Sequence, residues 1–388
     1  MNKAICAFLC CSLSVLWSSV VFAQDYNPIP VAMPSLQFAP DARGGAMGDI
    51  GAATMPDVYS QHWNAAKYPF ITTEGGIAFS YTPWLSKLVS DIHLLYASGY
   101  WKLGNDNLDA LSASLRYFSL GSIDIGDVNG EFWQRVSPHE FAFDLAYSRK
   151  LTETFAGAVT LRYLRADYST GNDETTPGNA FAADIAGYNE SYLYLGRSEV
   201  LLGLGFNLSN IGTKISYDGG ATSLFLPANM RLGVSLGYPV GKNHTLSFNL
   251  DLNKLLVPTP QLPEEGETAE EAQQRIDNYE SVSSIAGIFK SLGDAPGGFE
   301  EELQEIMWSL GAEYTYNNQF SVRTGYYNEN AYKGNRRYFT FGAGFRMKAI
   351  QVDAAYLIST AQSNPLDQTL RLSLGFDIAG IRNLMRGQ

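Results

Sequence analysis

A five-residue stretch from Gly233 to Gly237 reads GVSLG and matches the nucleophile-elbow pattern around Ser235. That pattern supports acyl transfer only where the serine lies on a sharp turn between a strand and a helix. Ser235 instead lies inside a run in which apolar residues alternate with small ones, on the same parity as the two glycines. A period of two predicts a strand. We therefore expect Ser235 to be a small strand residue and not a nucleophile.

The other residue types that could carry chemistry are scattered along the chain. The four histidines are His62, His93, His139 and His244. Their spacing matches no metal site, and we expect them at rims or in loops. No glycine-rich phosphate-binding loop precedes a helix. The sequence therefore predicts a protein that is not an enzyme and that has no cofactor and no metal site.

Residues 1–23 have the pattern of a secretory signal peptide. Lys3 gives a positive start, an apolar run extends from Ala4 to Val21, and Val21-Phe22-Ala23 resembles a cleavage site. All three cysteines lie in this segment, so the mature chain would have no thiol, as suits an oxidising compartment. A lipoprotein cysteine at Cys10 or Cys11 would leave a very short apolar run and is less favoured. The net charge of −12 argues against a nucleic-acid partner.

From residue 75 onwards, apolar residues alternate with small or polar ones. In the stretch 243–253, NHTLSFNLDLN, Phe248 and Leu252 share one parity, whereas Asn249 and Asp251 share the other. Such ladders occur near 77–82, 92–101, 111–117, 141–148, 155–165, 181–188, 200–210, 229–239, 244–254, 307–316, 319–327, 337–347, 350–358 and 369–378. They amount to about fourteen strands, each near the ~9–11 residues that cross a bilayer on a tilt.

The connections alternate between long and short. The long ones are SIDIGDVNGEFWQRVSP, YSTGNDETTPGN, GTKISYDGGATSLFLP and residues 257–302; the short ones are LGNDN, KLTE, PVGKN, YNNQ and MKA. Outer-membrane barrels have short periplasmic turns and long extracellular loops, whereas a secreted β-sandwich, the alternative, has no reason to sort its loops. We predict an all-β protein in which residues 75–388 form a transmembrane antiparallel β-barrel of about 14 strands. Its apolar parity faces lipid. The stretch 188–199 fits less clearly, and the residues after Phe376 have no assigned role.

The long outer loops contain candidate partner-binding residues. Residues 258–302 hold 11 acids and two bases, with a helical pattern from Thr268 to Leu292 that has an amphipathic stripe. The stripe either packs on the barrel rim or docks a partner, and the same two alternatives hold for the apolar residues of the SLFLP loop. The candidate partner-binding residues are Leu224, Phe225, Leu226, Ile285, Phe289 and Trp133.

Residues 24–74 precede the first strand, are rich in Gly and Ala, and are too long for a linker. Small residues allow close packing, so we predict that this segment folds back as a hatch that plugs the lumen. The candidate hatch residues are Asp41, Arg43, Gly44, Gly45, Gly48, Asp57 and Asn64.

The stretch DARGGAMGDIGAATMPDVYSQHWNAAKYP resembles the hatch of the FadL-like outer-membrane barrels, a fourteen-stranded family. Together with FAFDLAYSRKL, GFNLSNIGTKISY and FLPANMRLGVSLGYP, it is similar to the PorV (LptO) family of the type IX secretion system. One departure is Asn64-Ala65-Ala66, where the FadL-like hatch commonly has Asn-Pro-Ala.

This resemblance implies a bacterial outer-membrane protein whose loops are exposed at the cell surface. It implies a shuttle that binds the C-terminal signal domain of secreted cargo at the type IX translocon. The shuttle would deliver the cargo to a surface attachment complex with a PorU-like sortase, in contact with membrane lipid and lipopolysaccharide. The alternative is a FadL-type channel for hydrophobic small molecules, which requires an apolar pocket in the lumen.

Overall fold

The computed structural model describes residues 26–84, 91–104, 106–126, 132–168, 175–220, 222–263, 266–361, 364 and 366–385. The predicted signal peptide, residues 1–23, lies outside this part of the chain.

The strands of the described residues are β1 Gly75–Pro83, β2 Ile92–Leu103, β3 Asp109–Leu120, β4 Ile123–Gly126, β5 Phe132–Val136, β6 His139–Lys150, β7 Phe155–Asp167, β8 Gly178–Leu195, β9 Ser198–Gly212, β10 Asn229–Gly241, β11 His244–Leu255, β12 Met307–Tyr316, β13 Phe320–Asn328, β14 Arg337–Met347, β15 Ile350–Ser359 and β16 Leu370–Asp377.

Fourteen of these strands form one closed antiparallel barrel. Strands adjacent in sequence pair with each other, except that β3 pairs with β6 because β4 and β5 form a separate two-stranded ribbon. The barrel closes where β1 pairs with β16, for example Phe79 with Leu374. Closure removes every unpaired strand edge, which a bilayer requires. The prediction of an antiparallel barrel of about 14 strands is confirmed.

The alternation along each strand separates a wet interior from an apolar outer wall. On β11, Asn249 and Asp251 are buried inside the barrel, whereas Phe248 is 55% and Leu252 39% exposed on the outside. The same inward and outward alternation is present on β1, β6 and β16. Ser235 lies inward in the middle of β10, 4% exposed and far from any turn. The predicted sidedness is therefore confirmed, and no strand-to-helix turn exists at Ser235.

The unclear stretch 188–199 is the end of a long hairpin. Strand β8 continues to Leu195, and only Gly196 and Arg197 separate it from β9. Gly196 has φ +65°, the left-handed region that two-residue hairpin turns use. Residues 192–195 are all exposed, since this tip extends past the barrel wall. The inward and outward alternation that identifies a strand is therefore lost there.

The long acidic loop contains three helices, Ala269–Ser281, Ser284–Lys290 and Phe299–Gln304. The single helix predicted from Thr268 to Leu292 is wrong, because Val282 takes extended backbone angles and Ser283 caps a new helix by accepting from the Ala286 amide. The first helix begins with a capping box between Thr268 and Glu271.

A short helix, Ile378–Met385, follows the last strand. The Asp377 carboxylate begins it by accepting from the amides of Ala379, at 2.9 Å, and Gly380, at 3.3 Å. The chain after Phe376 therefore turns into a helix at the end of the barrel that carries the short turns. Within the described ranges, no helix is long and apolar enough to cross a membrane.

Candidate functional site

The segment before β1 lies inside the barrel and is called the hatch, residues 26–74. It contains two short α-helices, Ala42–Gly45 and Ser60–Trp63, and two 3-10 turns, Pro34–Gln37 and Ala65–Phe70. Short turns suit a segment that must fill a narrow lumen. Most of its residues from 39 to 69 are buried by the surrounding strands.

A chain of buried ion pairs joins the hatch to the barrel wall. Arg43 Nη1 lies 2.5 Å from Asp57 Oδ2, and Arg43 Nη2 lies 2.9 Å from Glu313 Oε2 on β12. Glu313 also accepts from Arg323 Nε at 2.7 Å, and Arg323 Nη1 lies 2.7 Å from Asp353 Oδ1 on β15. All five side chains are less than a tenth exposed. Removal of one partner would leave an uncompensated buried charge, so this series of ion pairs fixes the position of the hatch.

Two further predicted hatch residues hold the fold of the segment itself. Asp41 Oδ1 accepts from the Gly44 amide at 2.8 Å, and Asp41 Oδ2 accepts from Trp63 Nε1 at 2.6 Å. Asn64 Nδ2 donates at 2.9 Å to the carbonyl of Gly187 on β8. Asn64 Oδ1 also accepts from the Ala66 amide at 3.0 Å, so a side-chain bond holds this turn although no proline follows Asn64.

The remaining candidates, Gly44, Gly45 and Gly48, lie where the hatch approaches other atoms closely. A Cβ on Gly44 would lie 2.5 Å from the Trp63 ring, and one on Gly45 would lie 2.5 Å from Arg371 Nη1. Gly48 has φ +82°, a conformation that favours glycine. The structure thus brings all seven predicted hatch residues together, and their role in function stays a prediction, as do the domain boundaries.

Sequence reasoning missed the partners that the hatch uses on the wall. Asp251 Oδ2 on β11 accepts from the Gly51 amide at 2.9 Å and from the Ala52 amide at 3.0 Å. Arg371 Nη1 on β16 lies 2.8 Å from Asp49 Oδ1. The polar parity marked Asp251 as a lumen residue, but no local signal identified its partner.

The histidines do not form a site. His93 and His139 lie at the rim with the long loops, each near the Tyr117 ring, and His244 lies at the opposite rim near Tyr316. The prediction that His62 lies at a rim or in a loop is wrong. His62 lies on a hatch helix inside the barrel, and its Nδ1 is 3.0 Å from Arg116 Nη2. Among the residues that the structure describes, no cluster of three or more His, Cys, Asp or Glu side chains could hold a metal ion.

The outer face carries a groove of about 850 Å³ in the long acidic loop. It lies between the extended segment 258–262 and the helix Ala269–Ser281, and we call it the outer-loop groove. Tyr279 forms one wall, donates from its hydroxyl to the Pro258 carbonyl at 3.1 Å and packs on the Phe225 ring at 5.7 Å. The lining includes Pro258, Pro260, Glu271, Ile276, Tyr279 and Lys290. Its mixed apolar and charged lining suits an extended polypeptide better than a small solute.

Two lysines attach the acidic loop to the barrel, and we call this cluster the loop clamp. Lys254 Nζ lies 2.9 Å from Glu302 and 2.6 Å from Glu305. Lys333 Nζ lies 3.0 Å from Glu305 and also pairs with Glu301. Partial burial acts to raise the pKa of Glu301 and of Glu302, but the hydrogen bonds from the two lysines outweigh it and leave both pKa values below the usual range. The clamp therefore holds the loop as long as these carboxylates are ionised.

The structure separates the candidate partner-binding residues into buried and exposed sets. Phe225 and Leu226 are each 4% exposed, and Leu224 packs against the cluster that contains Leu226. The SLFLP loop is therefore packed on its neighbours, which corrects its prediction as a binding patch. Ile285 is 67% and Phe289 72% exposed, so their part of the stripe does not pack on the rim.

Trp133 belongs to β5 in the ribbon, and its side chain lies outside the described part of the structure. Its candidacy as a partner-binding residue stays a prediction.

Several solved outer-membrane structures are similar to this chain over most of its length. The Pseudomonas putida toluene transporter TodX is 12% identical, with 91% of this chain and 99% of that chain covered and a TM-score of 0.48. The Ralstonia pickettii toluene transporter TbuX is 12% identical, with 89% and 97% covered and a TM-score of 0.42. A Pseudomonas aeruginosa FadL homologue is 10% identical, with 91% and 99% covered and a TM-score of 0.44. The fold assignment rests on the strand pairing above and not on these likenesses.

No curated protein sequence matches this chain. The family model described as "Type IX secretion system protein PorV" matches residues 21–262, which include the hatch and the barrel wall from β1 to β11. The match covers more than half of the chain. The chain therefore belongs to the PorV family, and it is an outer-membrane β-barrel component of the type IX secretion system.

Proposed function

We propose that this barrel is a cargo shuttle that binds the C-terminal signal domain of secreted proteins on its outer loops. It receives the cargo at the type IX translocon and delivers it to a surface attachment complex that contains a PorU-like sortase. The observation that carries the proposal is an exposed apolar pair, Ile285 and Phe289, on a loop that the loop clamp holds to a barrel of the PorV family.

The geometry of this pair supports docking of a protein. Ile285 and Phe289 are four residues apart on the helix Ser284–Lys290, so their side chains share one face. A few side chains buried at the centre of an interface supply most of the binding free energy, so an exposed aromatic residue beside an aliphatic one is a suitable anchor. Lys290, at the end of the same helix, lines the outer-loop groove, so the exposed pair and the groove lie side by side. The surrounding acids would set partner orientation and association rate more than affinity.

The test replaces the exposed pair by charge. A barrel with Ile285→Asp and Phe289→Asp should bind an immobilised cargo signal domain at least about 30-fold more weakly, as expected for loss of a ~2 kcal/mol hot spot. Deletion of residues 264–294 should abolish binding. Both variants should still insert into the membrane as folded barrels, which their heat-dependent mobility on gels would show.

The matched control is Leu151→Asp, since Leu151 is 63% exposed at a short turn on the opposite end of the barrel. It should bind cargo as the unchanged protein does. Equal cargo binding by the unchanged barrel and both outer-loop variants would refute this docking surface.

The alternative function, a FadL-type channel for hydrophobic molecules, needs an apolar path through the lumen. The lumen here is crossed by the hatch and by the ion pairs of Arg43, Glu313 and Arg323, which weighs against it. Radiolabelled fatty-acid uptake that is lost on deletion of the gene, with secretion intact, would favour the channel instead.

A further inference from the structure

A small cavity of about 40 Å³ lies in the lumen between the hatch and the inward side chains of the wall. One water requires about 10–15 Å³ by this kind of measure, so the space holds a small ion or a small polar group. The charged and titratable residues that line it are Asp49, His62, Tyr96, Arg116, Asp144, Arg162, Arg231, Tyr327 and Arg336. Cationic side chains therefore outnumber carboxylates on its surface.

Two of the four arginines are neutralised by close carboxylates. Arg162 Nε lies 2.6 Å from Asp144 Oδ1, and Arg162 Nη2 lies 2.9 Å from Asp184 Oδ2. Arg336 Nη2 lies 2.7 Å from Glu329 Oε1. These two side chains have no need of a further anion.

Arg231, on β10, is different. Its Nε donates to Asn253 Oδ1 at 2.7 Å, and its guanidinium lies 4.7 Å from the centre of the Trp63 ring. Within the described ranges, no carboxylate lies within 4.0 Å of Arg231, and its two terminal nitrogens have no hydrogen-bond acceptor. Asp251 Oδ2 accepts from two hatch amides, whereas Asp251 Oδ1 has no hydrogen-bond partner among the described residues, so this carboxylate offsets part of the Arg231 charge from beyond 4.0 Å. Apart from the bond to Asn253, four N–H groups of Arg231 have no acceptor among the described residues.

Arg116, on β3, also forms no ion pair within 4.0 Å among the described side chains. Its Nη1 donates to the Ser35 carbonyl at 2.5 Å and to the Phe38 carbonyl at 3.3 Å. Its Nη2 donates to the Phe38 carbonyl at 3.4 Å and to His62 Nδ1 at 3.0 Å, so its four terminal N–H groups already have acceptors. Asp144, which also pairs with Arg162, offsets part of the charge of Arg116. Because the terminal N–H groups of Arg116 also have acceptors, Arg231 is the stronger anchor for an anion.

His62 supplies the second donor. A guanidinium can only donate, so His62 Nδ1 must accept from Arg116, and the proton of the neutral ring lies on Nε2. His62 Nε2 is buried and has no hydrogen-bond partner in the part of the protein that the structure describes. A buried N–H without an acceptor costs free energy, and an anion in the cavity would accept from it.

We propose that this cavity binds one small monovalent anion, a halide or a carboxylate, which accepts from Arg231 and from the Nε2–H of His62 beside the positive charge of Arg116. Because Arg231 lies on β10 and His62 on the hatch, the anion bridges the hatch to the wall. The proposal does not depend on the secretion role of the protein.

The first experiment measures thermal unfolding of the detergent-purified, full-length barrel at constant ionic strength. Sodium gluconate, whose anion is too large for 40 Å³, is replaced stepwise by sodium chloride or by sodium formate. The midpoint temperature should rise and then saturate, since a ligand that binds only the folded state stabilises it. A rise with chloride alone identifies a halide site, and a rise with formate alone identifies a carboxylate site. A rise with both identifies a general small-anion site, and no saturable rise with either salt overturns the proposal.

The second experiment uses Arg231→Gln, which should raise the anion concentration at half-saturation at least tenfold. Its control is Arg149→Gln, which removes a charge from an exposed pair with Asp109 at the end of the barrel that carries the short turns. This control should leave the half-saturating anion concentration unchanged. If the Arg231→Gln variant does not fold, crystals of the unchanged protein decide the matter, soaked in bromide where chloride raises the midpoint temperature and in formate where only formate does. Density for the soaked anion between Arg231 and His62 supports the site, whereas a map without that density, or saturation unaffected by Arg231→Gln, overturns it.

Discussion

Gly325 on β13 and Gly205 on β9 face the hatch with no side chain between the two backbones. A Cβ on Gly325 would lie 2.0 Å from the carbonyl carbon of Met47, and one on Gly205 would lie 2.0 Å from the Ala52 oxygen. Both contacts are with backbone atoms, which cannot move aside as a flexible side chain can. At the scale of the residue, the hatch is therefore seated by the absence of side chains as much as by its ion pairs.

We expect Gly325→Ala to destabilise the seated hatch by about 1–3 kcal/mol, the usual cost of overpacking. Limited proteolysis of the hatch and the thermal midpoint of the purified barrel would measure the effect. Gly157→Ala on β7 is the matched control, because its Cβ would meet nothing closer than Leu151 at 3.6 Å. Equal protease sensitivity of the two variants would contradict this account of the glycine.

At the scale of the element, the acidic loop is an ordered unit because its helices are capped and its end is clamped. The first two helices begin at side-chain caps, Thr268 and Ser283. The third leads into Glu305, which two lysines contact. A loop of this length without such contacts would not present Ile285 and Phe289 in a fixed position.

We expect Lys333→Gln to release the third helix and to increase hydrogen exchange of residues 266–304. Lys333 is 5% exposed and contacts Glu305, so its loss leaves a buried carboxylate with fewer partners. Arg135→Gln, in the exposed pair with Asp124 on the ribbon, is the control and should leave exchange in that loop unchanged. Unaltered exchange in Lys333→Gln would show that the clamp does not hold the loop.

The clamp also predicts a dependence on pH. Because the pKa of Glu301 and of Glu302 is lowered in the folded protein, their stabilisation is present above the ordinary glutamate pKa of about 4.3 and is lost as the pH falls through the folded-state values. Protection of the loop amides from hydrogen exchange, corrected for the intrinsic exchange rate, should be the same at pH 8 and pH 6. It should fall only in acid, below about pH 4. Loss of protection already between pH 8 and pH 6 would contradict this assignment.

At the scale of the whole molecule, a closed barrel of fourteen strands encloses a hatch that is bonded to several strands at once. Asp251 on β11, Glu313 on β12 and Asp353 on β15 all meet hatch residues. Their contacts divide the lumen, so an open water-filled pore of the porin kind is not expected in this state.

Deletion of residues 26–74 should leave a barrel that still inserts but conducts ions, because the inward parity is polar and would fill with water. Single-channel recordings in planar bilayers would show steps for the deletion and none for the complete chain. Deletion of residues 264–294 alone should not open the pore, since it leaves the hatch in place. A silent bilayer with the hatch deletion would mean that other residues close the lumen.

The residue pattern along the chain was enough to predict the barrel. Alternation with a period of two is a property of each strand alone, so Phe248 and Asn249 identify their own faces without knowledge of any neighbour. The number of ladders and the sorting of long and short loops predicted a closed barrel and its orientation. The length and the small residues of the segment before β1 predicted the hatch, as the family resemblance also did, and its candidate residues are buried together.

Which of these residues meet depends on how the strands come together in the folded barrel. Arg43 and Glu313 are 270 positions apart, and no local pattern pairs one buried arginine with one acid among many. The same holds for Phe225, which an exposed-loop pattern left open and which Tyr279 and its neighbours bury. Periodicity reports the environment of a side chain, whereas partner choice depends on distances set when distant strands close into one barrel.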